Sequence, residues 1–211
     1  MSQAVSTEAE PTPVERPLAL GIWLIVGGAI GLLAAFMLTL ETVLYYKDPS
    51  QGAACDFSVL VSCSHNMAST YGWLFGFPNP MLGLVAWPVV ITTGVLVVAG
   101  VQLPAWYWRG LAFGVMLALL LVSGFISVSL YILNVLCPWC MLTWAVVIPT
   151  FWAVVLYTLK SGQLVGPVRS PWPARLYGWV PTLTILSYLL IIVLAQIQLD
   201  AIPRIMNDLF G

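Results

Sequence analysis

Charge is what this sequence lacks. Lysine, arginine, aspartate and glutamate together make up 7% of the 211 residues, and histidine occurs once. A soluble domain carries about 25% charged residues. The net charge is −1 and no basic cluster exists, so nothing in the charge pattern points to a nucleic acid partner. Cysteine is also scarce, with four in the chain. The stretch 1–17 is polar and acidic, carrying Glu8, Glu10 and Glu15. It lacks the basic start, short apolar core and small-residue cleavage site of a removable signal peptide. It is therefore expected to be a disordered tail, and the rest of the chain, 18–211, a single domain without internal repeats.

Apolar residues are what the chain has, at 61% of the total, with a mean hydropathy of +0.98. A helix crosses the hydrocarbon core with about 20 residues. Five stretches satisfy this, at 18–40, 80–100, 111–136, 137–159 and 180–199. The fold class is thus an all-α membrane protein. The first span carries Gly27, Gly28, Gly31, Ala34 and Ala35, which would let a neighbouring backbone approach closely. Pro88 and Pro149 fall inside spans and are expected to kink them.

Span parity gathers the cysteines. The loop 47–79 after the first span and the turn between the third and fourth spans share one side of the membrane, whichever way the chain inserts. Cys55 and Cys63 lie in the loop, Cys137 and Cys140 at the turn. Arg16, Arg109, Lys160, Arg169 and Arg175 fall on the side of the N-terminus, against Lys47 and Arg204 on the other. Positive charge favours the cytoplasm. The N-terminus is therefore expected inside a cell membrane, with the cysteines and the C-terminus outside, where disulfides persist.

Cys137-Pro138-Trp139-Cys140 is the sharpest motif. Two cysteines separated by two residues close a small, readily reduced ring. Cys137 falls where a helix should begin, with Pro138 in its first turn. Free amides and the helix dipole there favour the thiolate, which is the attacking species. A structural disulfide or half a zinc site is the alternative, although zinc better suits a reducing cytosolic domain. Cys55 and Cys63 either pin their loop or work as a second exchanging pair, relaying electrons by mixed disulfides. Met141 after Cys140 rules out the haem-attachment motif. A lipid-soluble quinone is the acceptor that reaches such a site without crossing water.

The order Cys55…Cys63-Ser64…Ser69, then Asn79 opening a span, then a C-x-x-C at the start of a later span, resembles the vitamin K epoxide reductase family. The resemblance covers 19–155. The related DsbB proteins place their C-x-x-C in the first loop instead. The resemblance implies a four-helix bundle around a quinone site, here with a fifth transmembrane helix outside it. It implies a thiol–disulfide oxidoreductase of the unfused, actinobacterial type. Such a protein oxidises a separate DsbA-like, thioredoxin-fold partner and reduces menaquinone or ubiquinone.

Residue by residue, Cys55 would exchange with the partner, Cys63 would hand electrons to Cys137, and Cys140 would face the quinone. Asn79 matches a position that hydrogen-bonds a quinone carbonyl, and Asn79-Pro80 also reads as a helix cap. Ser69 matches a loop hydroxyl near the site, and a helix cap is its simpler role. Trp144 stands where vertebrate members have tyrosine. Indole donates one hydrogen bond and accepts none, which favours quinone over epoxide reduction. The rival readings are an epoxide reductase in the strict sense and a non-enzymatic membrane protein with structural disulfides or a bound metal.

Other residues receive plainer expectations. His65, two residues after Cys63, is more simply an incidental loop residue than a group that raises the thiolate fraction or shuttles a proton; Asp56 is expected to be solvated, and Glu41 to reach the membrane interface. Trp73, Trp106, Trp108, Trp172 and Trp179 fit interfacial belts, while Trp87 and Trp139 pack or line the quinone pocket. The apolar segment 67–78, with Tyr71, Trp73, Leu74, Phe75 and Phe77, is expected to form a short amphipathic helix or lid over the bundle.

Overall fold

A computed structural model describes residues 17–58, 60–164, 172–200 and 203. The expected tail lies outside these residues except for Pro17, as do Arg169 and Arg204. Among the described residues, five helices are long and apolar enough to cross a membrane. They are α1 (Leu18–Lys47), α3 (Pro80–Val98), α4 (Ala105–Ser127, continued by a π-helical segment Val128–Leu133), α5 (Pro138–Lys160) and α7 (Val180–Leu199). Two short helices, α2 (Ser64–Ala68) and α6 (Trp172–Gly178), lie between them. All-α architecture is confirmed, with side chains such as Ile22, Phe36, Phe113, Leu120, Leu190 and Ile197 exposed toward the position of lipid.

Two boundaries differ from the sequence reading. α1 continues to Lys47 rather than stopping near residue 40, because Glu41 is buried against the cysteine loop and Thr42 is buried at the cavity wall. α4 starts at Ala105, since Pro104 is extended and Trp108 is buried in the core rather than placed in an interfacial belt. Trp106, Trp172 and Trp179 are the belt-like tryptophans, all exposed.

Glycine builds the closest helix pair. α1 packs most extensively on α3, then on α5, while α4 packs on α5. A side chain at Gly28 would strike Ile91, one at Gly31 would overlap the Trp87 ring, and one at Gly94 would meet the Gly21 carbonyl. The close approach read from the first span is therefore real. Polar residues inside the bundle are satisfied locally: Thr93, Thr150 and Thr158 return their hydroxyls to carbonyls four residues back. Trp23 Nε1 then ties α1 to α5 by donating to Thr150 Oγ1 at 3.1 Å. Around the bundle the order is α3, α1, α5, α4. α3 and α4 share little backbone contact and are tied by the Thr93 and Tyr107 hydroxyls, 2.7 Å apart, and a gap remains between them. α7 sits outside, against α5.

Gly31→Ala should lower stability by about 1–3 kcal/mol through overpacking against Trp87. Gly114→Ala, where an added Cβ meets nothing within 4 Å, should cause no loss. Thermal unfolding in detergent would compare them, and equal stability for the two variants would contradict the packing described.

Candidate functional site

The loop that carries the first cysteine pair is organised by one carboxylate. Asp56 Oδ1 accepts from the amides of Cys63 at 2.7 Å and Ser64 at 3.0 Å, and from the Ser62 hydroxyl at 2.8 Å. Its Oδ2 accepts from the Ala53 amide at 3.1 Å and from the Ser64 hydroxyl. Burial disfavours the charge on Asp56. The Ser64 hydroxyl and amide, the Ala53 amide and the Ser62 hydroxyl outweigh that and hold its carboxyl well below the usual carboxylate range. Asp56 is thus not a merely solvated residue. The closed loop brings Cys55 and Cys63 to a Cα separation of 5.7 Å, and they form a disulfide. Glu41 supports the same loop from α1, accepting from the Ala54 amide at 3.0 Å, and it is buried rather than interfacial.

A single parallel bridge joins this loop to the second pair. Val61 pairs with Leu136, the Leu136 amide donating to Leu60 O at 2.7 Å and the Ser62 amide to Leu136 O at 3.1 Å. Leu136 reaches this position because the π-helical end of α4 stops at Asn134, which adopts the left-handed conformation at φ 55°. Asparagine tolerates that region better than most residues. Cys137 follows as the extended N-cap of α5, with Pro138 in the first turn as expected.

The outcome is a line of sulfurs. Cys137 Sγ lies 3.5 Å from Cys63 Sγ, and both residues are fully buried. Cys137 and Cys140 are free thiols. A hydrogen bond from the Cys140 thiol lowers the Cys137 pKa, against burial, with help from the Cys140 and Trp139 amides and the Asn66 side chain. Cys140 faces a cavity of about 740 Å³ enclosed by α1, α3, α4 and α5. This arrangement can move a disulfide between pairs, because a thiolate at contact distance from a disulfide sulfur is close to an attack geometry.

The expected ligand-binding residues divide. Trp144 lines the cavity and is buried. Asn79 lines it too, but its side chain pins the loop, Nδ2 donating to Tyr71 O at 2.6 Å and Oδ1 accepting from Leu74 N at 3.1 Å. It does not cap α3 with its side chain. Ser69 is not among the lining residues; its hydroxyl donates to Asn66 O at 2.7 Å, at the end of α2. His65 is exposed, with Nδ1 3.3 Å from the Ser62 hydroxyl. The segment 67–78 forms two short helical turns rather than one helix, since Ser69 is extended and Gly76 takes φ 80°. Met67, Tyr71 and Trp73 roof the cavity, and Tyr71, Leu74, Phe75 and Phe77 are exposed on the outer side. Tyr46, in the extra turns of α1, holds this roof by donating to Met67 O at 3.1 Å.

Sequence reasoning missed Asn66. Its Nδ2 lies 3.5 Å from Cys140 Sγ, and it lines the cavity. The available signal was its spacing, three residues after Cys63, which puts both on one side of a helical turn.

A family model described as the Vitamin K epoxide reductase family matches residues 22–155. The chain belongs to the vitamin K epoxide reductase family. The matched stretch contains both cysteine pairs, the roof and the four helices around the cavity, and ends before α6 and α7. No curated protein and no solved structure gives a significant match. Membership makes the chain a multi-pass membrane oxidoreductase of a family that works on disulfides and quinones.

Asp56→Ala should slow disulfide exchange between the loop pair and Cys137 by about ten- to a hundredfold, the scale of a misplaced reacting atom. Rapid-quench thiol trapping would read it, and an unchanged rate would remove the carboxylate from the account. The sign with pH follows from the lowered carboxyl. Its support of the loop is complete above the unfolded carboxylate value near 3.9 and is lost only as pH falls through the lower native value. Loop order monitored by proteolysis should therefore persist in the wild type down to about pH 4.

Proposed function

We propose that this protein oxidises the dithiol of a separate, soluble, thioredoxin-fold partner of DsbA type and delivers the electron pair to a quinone. The observation that carries the reading is the unbroken sulfur line, with Cys137 Sγ 3.5 Å from the Cys55–Cys63 disulfide and Cys140 on the cavity wall.

The steps balance as thiol–disulfide exchange. A partner thiolate attacks Cys55 Sγ, the Cys55–Cys63 bond breaks, and Cys63 leaves as a thiolate. The partner's second thiolate resolves the mixed disulfide, so the partner is oxidised and the loop pair reduced. Cys63 next attacks Cys137 of an oxidised C-x-x-C, releasing Cys140, and Cys55 attacks Cys63 to release Cys137. The loop disulfide has reclosed and Cys137 and Cys140 hold the electrons, the same pairing state seen in the structure. A quinone supplies the sink for two electrons and two protons when Cys137 and Cys140 reclose.

The cavity fits such a molecule. Its walls are apolar, with few polar groups near Cys140. Asn66 donates toward the Cys140 sulfur, stabilising negative charge there. Asn79 has one N–H left after its bond to Tyr71 O, and the Trp144 indole supplies a second donor for the opposite carbonyl. The gap between α3 and α4 provides a lateral path from lipid, and the roof of Met67, Tyr71 and Trp73 keeps water away from the exchange. Arg109, Lys160 and Arg175 at the end remote from the cysteines support a cytoplasmic N-terminus in the cell membrane, with the cysteine pairs outside.

Purified protein mixed with reduced thioredoxin-fold partner should consume a short-chain quinone, followed by absorbance, in the wild type. Cys55→Ala and Cys140→Ala should both fail. Vitamin K epoxide should turn over far more slowly than quinone. A folded wild type that leaves quinone untouched would overturn the proposal and favour structural disulfides. Asn66→Ala should lower the quinone-reduction rate about tenfold, the loss of one charge-assisted hydrogen bond, while exchange at Cys55–Cys63 continues; an unchanged rate would free Asn66 from any role at Cys140.

A further inference from the structure

The fifth span lies beyond the stretch matched by the family and carries no cysteine. Its position against α5 is nevertheless specific. Pro149 interrupts α5 from within. Proline has no N–H, and its ring crowds the carbonyl four residues earlier, so the Ala145 carbonyl loses its intrahelical partner. In a bundle surrounded by lipid no water replaces that donor. The structure supplies one from α7, where the Tyr188 hydroxyl donates to Ala145 O. One residue along, Ser187 receives a hydrogen bond from Trp152 Nε1 at 3.2 Å, so α7 is fastened on both sides of the break.

The interrupted turn is also the wall of the cavity. Thr143, Trp144 and Val147 line it, and Cys140 lies one turn above Trp144 on the same helix. If the Ala145 carbonyl were left without a donor, α5 would have to rewind or twist to satisfy it, and these side chains would move with it. We propose that α7 is a positioning element of the quinone cavity and that Tyr188, through the Ala145 carbonyl, holds the 143–147 turn of α5 in its ligand-ready shape. This rests on the quinone reading above. It assigns to the added helix a task that the four-helix core cannot perform for itself, because the core contains the proline and the donor comes from outside.

Tyr188→Phe removes only the hydroxyl. It should raise the KM for a short-chain quinone about fivefold, the scale of one ordinary hydrogen bond. The KM for the reduced thioredoxin-fold partner should stay unchanged, because that exchange occurs at Cys55–Cys63. Pro149→Ala restores an N–H to the Ala145 carbonyl, so in that background Tyr188→Phe should add no further rise. Ser187→Ala, which breaks the other tie, controls for general loosening of α7 and should change the quinone KM less than Tyr188→Phe does. An unchanged quinone KM in Tyr188→Phe would overturn the assignment. So would the same rise in both proline backgrounds, or equal effects from Tyr188→Phe and Ser187→Ala. If Pro149→Ala does not fold, the comparison between Tyr188→Phe and Ser187→Ala decides alone. Failure of the wild type to reduce quinone is a separate result and would strike the functional reading rather than the role of α7.

Discussion

The pairing of Val61 with Leu136 is the constraint on which the site depends. It is one isolated bridge, yet it fixes where the two cysteine-bearing segments meet. Cys63 stands two residues beyond Val61 and Cys137 one residue beyond Leu136, so a slip by a single residue would carry one sulfur out of reach of the other. The bridge has little stability of its own, and it survives because both strands of chain are clamped from behind. On one side Asp56 gathers the loop amides. On the other the left-handed Asn134 ends the π-helical segment and turns the chain into Cys137.

The membrane explains why so much of this structure is carbonyl accounting. Backbone groups inside a bilayer have no water to fall back on. Threonine hydroxyls return to their own helices, tryptophan indoles find hydroxyls on neighbouring ones, and the proline-orphaned carbonyl of Ala145 finds Tyr188. The helices themselves are brought together by small residues rather than by exclusion of water, which lipid does not supply. This is why α1 and α3 touch through Gly21, Gly28, Gly31, Gly83 and Gly94. α3 and α4 have no comparable small-residue seam and are joined instead by the Thr93–Tyr107 hydroxyl pair, leaving room for the cavity between them.

Long apolar runs made the five spans legible, and parity alone brought four cysteines to one end of the bundle. Both depend only on composition and order along the chain, which a linear reading captures. The placement of Cys137 as a helix N-cap was legible for the same reason, since Pro138 marks the first turn. What escaped depends on partners distant in sequence. Asp56 read as a solvated acid and Glu41 as an interfacial one because their donors, the amides of residues 53, 54, 63 and 64, converge on them only once the loop has closed. Glu41 did carry a warning, as an acid directly abutting the end of an apolar span. Asn66 stood unremarked in a helix of five residues, too short to show a face. Pro149 announced an orphaned carbonyl, but nothing local said that a tyrosine 43 positions away from Ala145 would answer it.

Burial also bears on why the proposed relay would need two cysteine pairs. Cys63 and Cys137 are fully buried, and Cys55 is only 4% exposed. A soluble partner cannot touch a cavity enclosed by four helices, and a lipid-dissolved quinone cannot reach a loop in water. A single pair would have to serve both media and would then be open to either. In the proposed relay, two pairs in sulfur contact would let the electrons cross the boundary through the buried Cys63–Cys137 junction while neither substrate does. The same burial sets a condition on the first step. The backbone around Cys55 is tied down by Asp56 and Glu41 rather than by apolar packing alone, so a partner that exchanges with Cys55 must loosen hydrogen bonds at the loop surface, and the junction beneath can stay closed while it does so.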